Sequence, residues 1–125
     1  MPSSNIHSGL AHFCESWNSM IEMLKTNYLV EPLLNRKINC ETDEGEKYVL
    51  VLTESGATLA EGEDRWAHAT FRTDADAWMD LLQGRLNFLT LAMQGRMRTS
   101  LDETLIHLRL GIIIQLLALM RPMAQ

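Results

Sequence analysis

The sequence predicts an α+β fold, in which a region of paired strands is flanked by amphipathic helices. Residues 6–28 repeat apolar side chains at steps of three and four, which is the period of a helix. From Arg36 the period changes to two, and short strand patterns alternate with turn residues up to Arg72. Residues 73–100 then give two capped helices and a fifth strand. A chain of 125 residues is large enough for one core, so residues 1–125 are expected to form a single domain.

The N-terminal helix, predicted at about residues 6–28, has one apolar face. That face carries Leu10, Phe13, Cys14, Trp17, Met20, Ile21, Leu24 and Tyr28. Polar residues such as His12 and Glu22 lie opposite, so this helix is expected to pack on the rest of the protein with one side. Glu31-Pro32 ends the pattern, because a residue that precedes proline is disfavoured in helical geometry.

The core, predicted at about residues 36–120, begins with four strands. Ile38 and Cys40 alternate with polar residues, and the next strand runs through Tyr48–Leu52 after the turn residues Asp43–Glu46. Ala57–Ala60 and the alternating Ala69 and Phe71 supply the third and fourth strands. Short turns between the first three strands predict a meander of paired strands, and the fourth strand follows an acidic bend at residues 61–64.

Two short helices and a fifth strand follow. Thr73 and Asp76 have the spacing of a capping box, and Gly84 stands where a left-handed residue ends a helix. Asn87 is predicted to cap the second helix and Gly95 to end it. The inward residues are predicted to be Ala75, Trp78, Met79 and Leu82 of the first helix, and Leu89, Ala92 and Met93 of the second. The fifth strand is predicted at Arg96–Ser100.

The last predicted helix, Asp102–Met120, is apolar around most of its circumference after Leu108. Its polar stripe consists of Glu103, His107, Gly111 and Gln115. The uninterrupted apolar run is shorter than the about 18 residues that a membrane span requires. One apolar stripe, with Leu105, Leu108 and Ile112, is expected to close the core, and a neighbouring stripe with Ile113 is expected to meet a partner.

Several classes of function lack their sequence signals. The net charge is −5 and the basic residues are scattered, which excludes the basic patch of a nucleic-acid binder. Cys14 and Cys40 are isolated and no signal-peptide pattern opens the chain, so we expect a cytoplasmic protein with both thiols in the core. The four histidines lack metal-ligand spacing, and no nucleophile or acid–base pair can be assembled. We therefore expect no catalytic residues, no metal, no cofactor and no enzyme activity.

Three arginines leave two interpretations open. Arg96 and Arg98 lie on one face of the predicted fifth strand, near Arg85 in sequence. They either meet the phosphate or carboxylate of a lipid or form a solvated strand face. The pattern favours the solvated face.

The most specific motif is a pair of blocks, Gly84-Arg85-Leu86-Asn87 and Gly95-Arg96-Met97-Arg98, that stand one short helix apart. Together with the strand and the helix before them, from Ala69 onward, they resemble the sterol carrier protein 2 (SCP2) family, and the pattern covers about Arg36–Leu116. The resemblance implies a five-stranded, mainly antiparallel sheet with helices on one face that enclose an apolar tunnel. The chain ends without the Ser-Lys-Leu of peroxisomal members, so the bacterial stand-alone type is expected.

The resemblance also implies a function and a set of ligand-binding residues. SCP2-like domains bind lipids, fatty acids or acyl thioesters without a cofactor, so non-catalytic lipid binding or transport is expected. By position, the tunnel would be lined or closed by Trp78, Leu82, Leu86, Phe88, Leu89, Met93, Met97, Leu105, Leu108, Ile112 and Ile113. The alternative is an interaction module whose apolar C-terminal helix docks on a partner enzyme or on a second copy in a homodimer. Transient membrane contact is a further partner that the resemblance leaves open.

Overall fold

The computed structural model describes residues 4–28, 30–99, 109 and 111–114. Among these residues, five strands form one sheet: β1 (Arg36–Thr42), β2 (Lys47–Thr53), β3 (Gly56–Glu61), β4 (Ala69–Thr73) and β5 (Arg98–Thr99). The strand order is β3-β2-β1-β4-β5, and the β1–β4 pair is parallel while the other pairs are antiparallel. The predicted α+β fold with a mainly antiparallel five-stranded sheet is confirmed.

The described helices are α1 (Ser4–Ser19), α2 (Ile21–Leu24), α3 (Ala75–Leu82) and α4 (Phe88–Met93), with a 3₁₀ turn at Glu31–Leu33. Residues 111–114 are also helical and are called the C-terminal helical stretch below. The prediction of one continuous helix over residues 6–28 is wrong, because the backbone leaves helical geometry at Met20 (φ −115°, ψ 10°). Tyr28 lies beyond α2 and is 78% exposed, so it does not belong to the buried face.

The core lies between one face of the sheet and the helices. Alternate strand residues point into it, and helix residues of period three to four meet them. Its fully buried large side chains are Ile6, Leu10, Phe13, Trp17, Leu33, Ile38, Leu50, Leu52, Phe71, Trp78, Leu81 and Phe88. The amphipathic pattern of the N-terminal region is thus confirmed from Leu10 to Leu24, and Ile6 extends it by one turn.

The segment between β3 and β4 brings β4 beside β1 instead of beside β3. The Asn39 side chain holds this segment on the outer face of the sheet: its Nδ2 donates to the Asp64 carbonyl at 3.0 Å, and its Oδ1 accepts from the Asp64 N–H at 2.9 Å. Lys37 adds an ion pair with Asp64 at 3.3 Å. These bonds let a polar residue such as Asn39 be buried in the middle of β1.

Asp74, and not the predicted Thr73, caps α3. Thr73 is the last residue of β4 and is fully buried, whereas the Asp74 side chain accepts from the Ala77 N–H at 3.0 Å. The other predicted end signals of the two short helices are confirmed. Asn87 accepts from the Thr90 N–H at 2.7 Å, and Gly84 and Gly95 have φ angles of 81° and 74°, a left-handed conformation that favours glycine.

Replacing Asp74 with Ala is expected to lower the free energy of unfolding by about 1 kcal/mol at neutral pH, the usual contribution of a helix cap. Burial alone would raise the pKa of Asp74, but hydrogen bonds from the backbone N–H groups of Ala77 and Asp74 and the nearby Arg96 hold that pKa below its ordinary value. A carboxyl with a lowered pKa in the folded state stabilises the protein fully above its unfolded pKa, and this stabilisation is lost as pH falls through the folded value.

The difference in unfolding free energy between wild type and Asp74→Ala should therefore shrink on acidification. Urea denaturation at about pH 7 and about pH 3 measures it. Asp76→Ala is the matched control, because Asp76 is an exposed first-turn residue that is not the cap. An Asp74→Ala loss that equals the Asp76→Ala loss at neutral pH would contradict the assigned cap.

Candidate functional site

The residues predicted to line a tunnel fall into three groups. Leu105 and Leu108 lie outside the described residues. The buried ones are Trp78, Leu82, Phe88 and Met97, and Leu86 and Ile113 are partly buried against the same core. The exposed ones are Leu89, Met93 and Ile112. The structure thus brings six of the candidates to the core between the sheet and the helices.

Trp78 ties α3 to the middle of the sheet. Its indole Nε1 donates a hydrogen bond of 2.8 Å to the carbonyl of Glu41 in β1, and the side chain is fully buried. Trp17 is equally buried, but its Nε1 has no hydrogen-bond partner within the described part of the chain. The polar edge of Trp78 therefore serves the fold, and its apolar ring is the part that remains for contact with a ligand.

Phe88 lies between the sheet and the C-terminal helical stretch. Its ring centroid is 5.3 Å from that of Phe71 in β4, at an interplanar angle of 50°. On the other side is Gly111, where an added Cβ would come within 2.3–2.5 Å of ring atoms of Phe88. The prediction that Gly111 belongs to a polar stripe is wrong, because the residue is buried and its missing side chain lets the helix backbone approach the ring.

A second glycine brings α1 close to α3 in the same manner. A Cβ at Gly9 would lie 2.7 Å from Cδ1 of Leu82. Two of the predicted lining residues, Leu82 and Phe88, are thus each covered by helix backbone at a glycine. Any apolar guest beside them would have to fit between elements that already pack closely at these two points.

The predicted inward orientation of Leu89 and Met93 is wrong. Leu89 is 47% exposed and Met93 is 80% exposed. Because α4 has only six residues, one turn decides which face is buried, and Phe88 and Leu91, three residues apart, take the inward positions.

The buried face of the C-terminal helical stretch also differs from the predicted one. Gly111 and Ile114 are buried, while Ile112 is 43% exposed. Ile114 was missed as a core residue. Ile114 lies three residues after Gly111, on the same side of the helix. That spacing predicts a buried Ile114 only if Gly111 is known to face the core.

The three arginines near the two glycine-containing blocks all have carboxylate partners. Arg85 Nε lies 2.8 Å from Asp80 Oδ1, and Arg96 Nη2 lies 3.5 Å from Asp74 Oδ1. Arg98 Nη2 donates to both carboxylate oxygens of Asp43, at 2.6 and 2.7 Å. These pairs place the guanidinium groups at the two ends of α3 and beside the β1–β2 turn.

Neither cysteine thiol is set up as a reactive nucleophile. Cys14 and Cys40 are both buried. Burial, with a smaller contribution from Glu15, raises the pKa of the Cys14 thiol to about 11, and burial also raises the pKa of Cys40. Both therefore stay protonated at neutral pH, when a thiolate would be needed for attack. Residues 4–28, 30–99, 109 and 111–114 contain no group of three or more His, Cys, Asp or Glu suited to a metal ion.

No helix among the described residues is both long enough and apolar enough to cross a membrane.

Comparison with known families decides the classification. The model of the SCP-2 sterol transfer family matches residues 27–101, which is three fifths of the chain. The protein belongs to the SCP-2 sterol transfer family. The match covers all five strands together with α3 and α4. It therefore includes Trp78, which is hydrogen-bonded to Glu41, and Phe88. No curated protein has a sequence that matches this chain significantly.

Solved structures share the SCP-2 fold at low sequence identity. A conserved hypothetical protein of Thermus thermophilus, described as possibly a sterol carrier protein, has a TM-score of 0.63 and 18% identity, over 90% of this chain and 85% of that one. A crystal structure of sterol carrier protein 2 has a TM-score of 0.62 and 18% sequence identity, and the match covers 89% of this chain and 91% of that one.

A ubiquinone synthesis protein, UbiJ-SCP2, has a TM-score of 0.57 and 14% sequence identity, and the match covers 78% of this chain and 88% of that chain. The sec-alkylsulfatase Pisa1 from Pseudomonas sp. has a TM-score of 0.52 and 17% sequence identity, and the match covers 63% of this chain. This SCP-2 chain spans only 12% of the length of that sulfatase. These likenesses establish a shared fold.

Proposed function

We propose that this SCP-2 domain is a non-catalytic carrier that binds one apolar lipid chain, such as that of a fatty acid or an acyl thioester, between its sheet and its helices. The match to the SCP-2 sterol transfer family carries the proposal. The buried, protonated thiols of Cys14 and Cys40 support the non-catalytic part, because neither of them is available as a thiolate nucleophile at neutral pH.

The proposed lining combines the buried residues with the two candidates outside the described chain. It consists of Trp78, Leu82, Leu86, Phe88, Met97, Leu105, Leu108 and Ile113. Transfer of each methylene from water to such a site stabilises the complex by about 0.8 kcal/mol. A chain of a dozen methylenes would gain on the order of 10 kcal/mol before the costs of ordering are subtracted. The core residues therefore supply affinity, while shape and head-group contacts supply selectivity.

The proposed function is tested by titration with a fluorescent fatty acid and by mass spectrometry of lipids extracted from the purified protein. Leu86→Trp is the diagnostic variant, because Leu86 is partly buried and a larger side chain there would occupy space that the proposed ligand needs. We expect wild type to bind the probe at micromolar concentration and Leu86→Trp to bind on the order of tenfold more weakly.

Thr58→Trp is the matched control, because Thr58 is an exposed β3 residue next to the buried Ala57. It adds the same indole without changing the core and is expected to bind like wild type. Absence of probe binding by wild type, together with absence of co-purified lipid, would refute the carrier function.

A further inference from the structure

The indole of Trp17 carries a buried hydrogen-bond donor that the described fold does not use. The side chain is fully buried, and its Nε1 is the one buried side-chain nitrogen or oxygen without a partner among the residues that the structure describes. A buried donor without an acceptor destabilises the folded state. Phenylalanine would fill most of the same apolar space without that cost. The N–H of Trp17 is therefore best explained by an acceptor that belongs to a bound molecule.

The other two tryptophans provide the comparison. Trp78 is buried in the same core, and its Nε1 donates to the Glu41 carbonyl at 2.8 Å, so its N–H holds α3 on the sheet. Trp66 is 79% exposed, and its N–H can donate to solvent. Of the three indole N–H groups in the chain, only that of Trp17 is both buried and unpaired within the described residues.

Trp17 lies along the face of α1 that meets the proposed lining. Gly9, Phe13 and Trp17 follow one another at steps of four, so they share one face of the helix. At one end of this face, Gly9 lies against Leu82 of the proposed lining. At the other end, the ring centroids of Phe13 and Trp17 are 5.9 Å apart. Eight residues of helix span about 12 Å, so a single long acyl chain can contact Leu82 and still reach Trp17 with a polar group.

The surroundings of Trp17 limit the kind of acceptor that can bind there. No lysine, arginine or histidine in the described part of the chain has a buried side chain. A carboxylate buried without a cation is strongly disfavoured, whereas a neutral carbonyl oxygen is satisfied by a single donor. The indole N–H only donates, so the ligand group must accept. A neutral carbonyl, such as that of an ester or a thioester, meets both conditions.

We propose that Trp17 Nε1 donates a hydrogen bond to the neutral carbonyl oxygen of the bound lipid and thereby selects esters and thioesters over ionised fatty acids. The proposal rests on the carrier function proposed above and names the ligand class of that same site. The family match begins at residue 27, so the contact would come from α1, a part of the chain outside the match.

The first test is NMR of the indole N–H groups in ¹⁵N-labelled wild type, titrated with methyl laurate and with tetradecane. The two probes are matched in chain length, but only the ester carries an acceptor. We expect methyl laurate to move the Trp17 resonance downfield, toward that of the hydrogen-bonded Trp78, and tetradecane to leave it near its unliganded position. The exposed Trp66 serves as the internal reference.

The second test is competition with the fluorescent fatty acid. Trp17→Phe should weaken binding of methyl laurate about fivefold more than binding of tetradecane, the usual effect of one neutral hydrogen bond. Phe13→Leu is the matched control, because it removes aromatic volume beside Trp17 without removing a donor, and it should weaken both ligands equally. Lauric acid at about pH 8, where its carboxyl is ionised, should bind wild type on the order of tenfold more weakly than its methyl ester.

Equal losses for ester and alkane in Trp17→Phe would overturn the proposal, and so would a Trp17 resonance that responds alike to both probes. Laurate binding as tight as that of the ester would overturn the selection of a neutral group. The NMR experiment uses wild type alone, so its result does not depend on the folding of Trp17→Phe. If wild type binds none of the probes, the carrier function is refuted and the proposal falls with it. If wild type binds ester and alkane but the Trp17 indole does not distinguish them, the carrier function stands and only this proposal fails.

Discussion

Gly111→Ala is expected to destabilise the protein, although the same change on a free helix surface would stabilise it. In a helix interior, alanine is favoured over glycine by about 0.8–1.0 kcal/mol. Here the added methyl group would stand within 2.3–2.5 Å of the Phe88 ring, so the helix or the ring must move. Overpacking of this kind costs typically about 1–3 kcal/mol, which exceeds the gain in propensity. Urea denaturation of wild type and Gly111→Ala gives the sign directly.

Phe88→Leu provides the matched test of the cause. If the clash with the ring is responsible, the alanine should be tolerated better in the presence of leucine, and the double-mutant cycle should show a coupling of about 0.5–3 kcal/mol. A stabilised Gly111→Ala protein, or a cycle without coupling, would return Gly111 to the polar surface stripe that the sequence pattern predicts. Fatty-acid probe binding should fall with stability in Gly111→Ala, since the stretch against Phe88 is part of the proposed lining.

The strands, the end of α3 and both ends of α4 could be predicted because their signals are local. The alternation in β1 and the turn residues between β1 and β2 define a hairpin without help from the rest of the chain. Asn87 has the short polar side chain that caps the start of a helix. Gly84 and Gly95 adopt the left-handed backbone that ends one. The family motif lies in this same region, which is why fold and family were both accessible from sequence.

The errors concern properties that only packing determines. Thr73 and Asp74 are both good caps, and Asp74 takes the role because β4 extends through Thr73 and buries it. In a helix as short as α4, two overlapping apolar faces are available, and contact between Phe88 and Phe71 selects one of them. The burial of Asn39 likewise depends on Asp64, which is far away in sequence.

The same reasoning limits what was predicted of the candidate site. The apolar pattern predicts Trp78 and Leu82 in the interior, and the family resemblance adds Phe88 and Met97; the structure buries all four. The pattern could not identify Gly9 and Gly111, because a glycine in a helix has no side chain to enter an apolar pattern. Their role emerges only when the side chains opposite, Leu82 and Phe88, are brought against them.

Trp78→Phe is expected to have a large effect on stability, and Trp17→Phe provides an internal comparison. Both indoles are fully buried, so each substitution removes a similar volume and leaves a similar void. Only Trp78 loses a hydrogen bond, the one from Nε1 to the Glu41 carbonyl, because Trp17 Nε1 has no partner within the described residues. Loss of a buried hydrogen-bond partner costs about 1–3 kcal/mol, so Trp78→Phe should be less stable than Trp17→Phe by that amount.

Denaturant unfolding of both variants measures the difference, and the fatty-acid probe tests whether Trp78 also contacts the ligand. If the ring alone contributes to the proposed lining, Trp78→Phe should retain probe binding under conditions in which it is folded, because phenylalanine preserves an apolar ring. Equal losses of stability in the two variants would show that the bond to Glu41 contributes nothing to holding α3 on the sheet. Loss of probe binding in a folded Trp78→Phe protein would instead assign the indole nitrogen to the ligand and contradict its structural role.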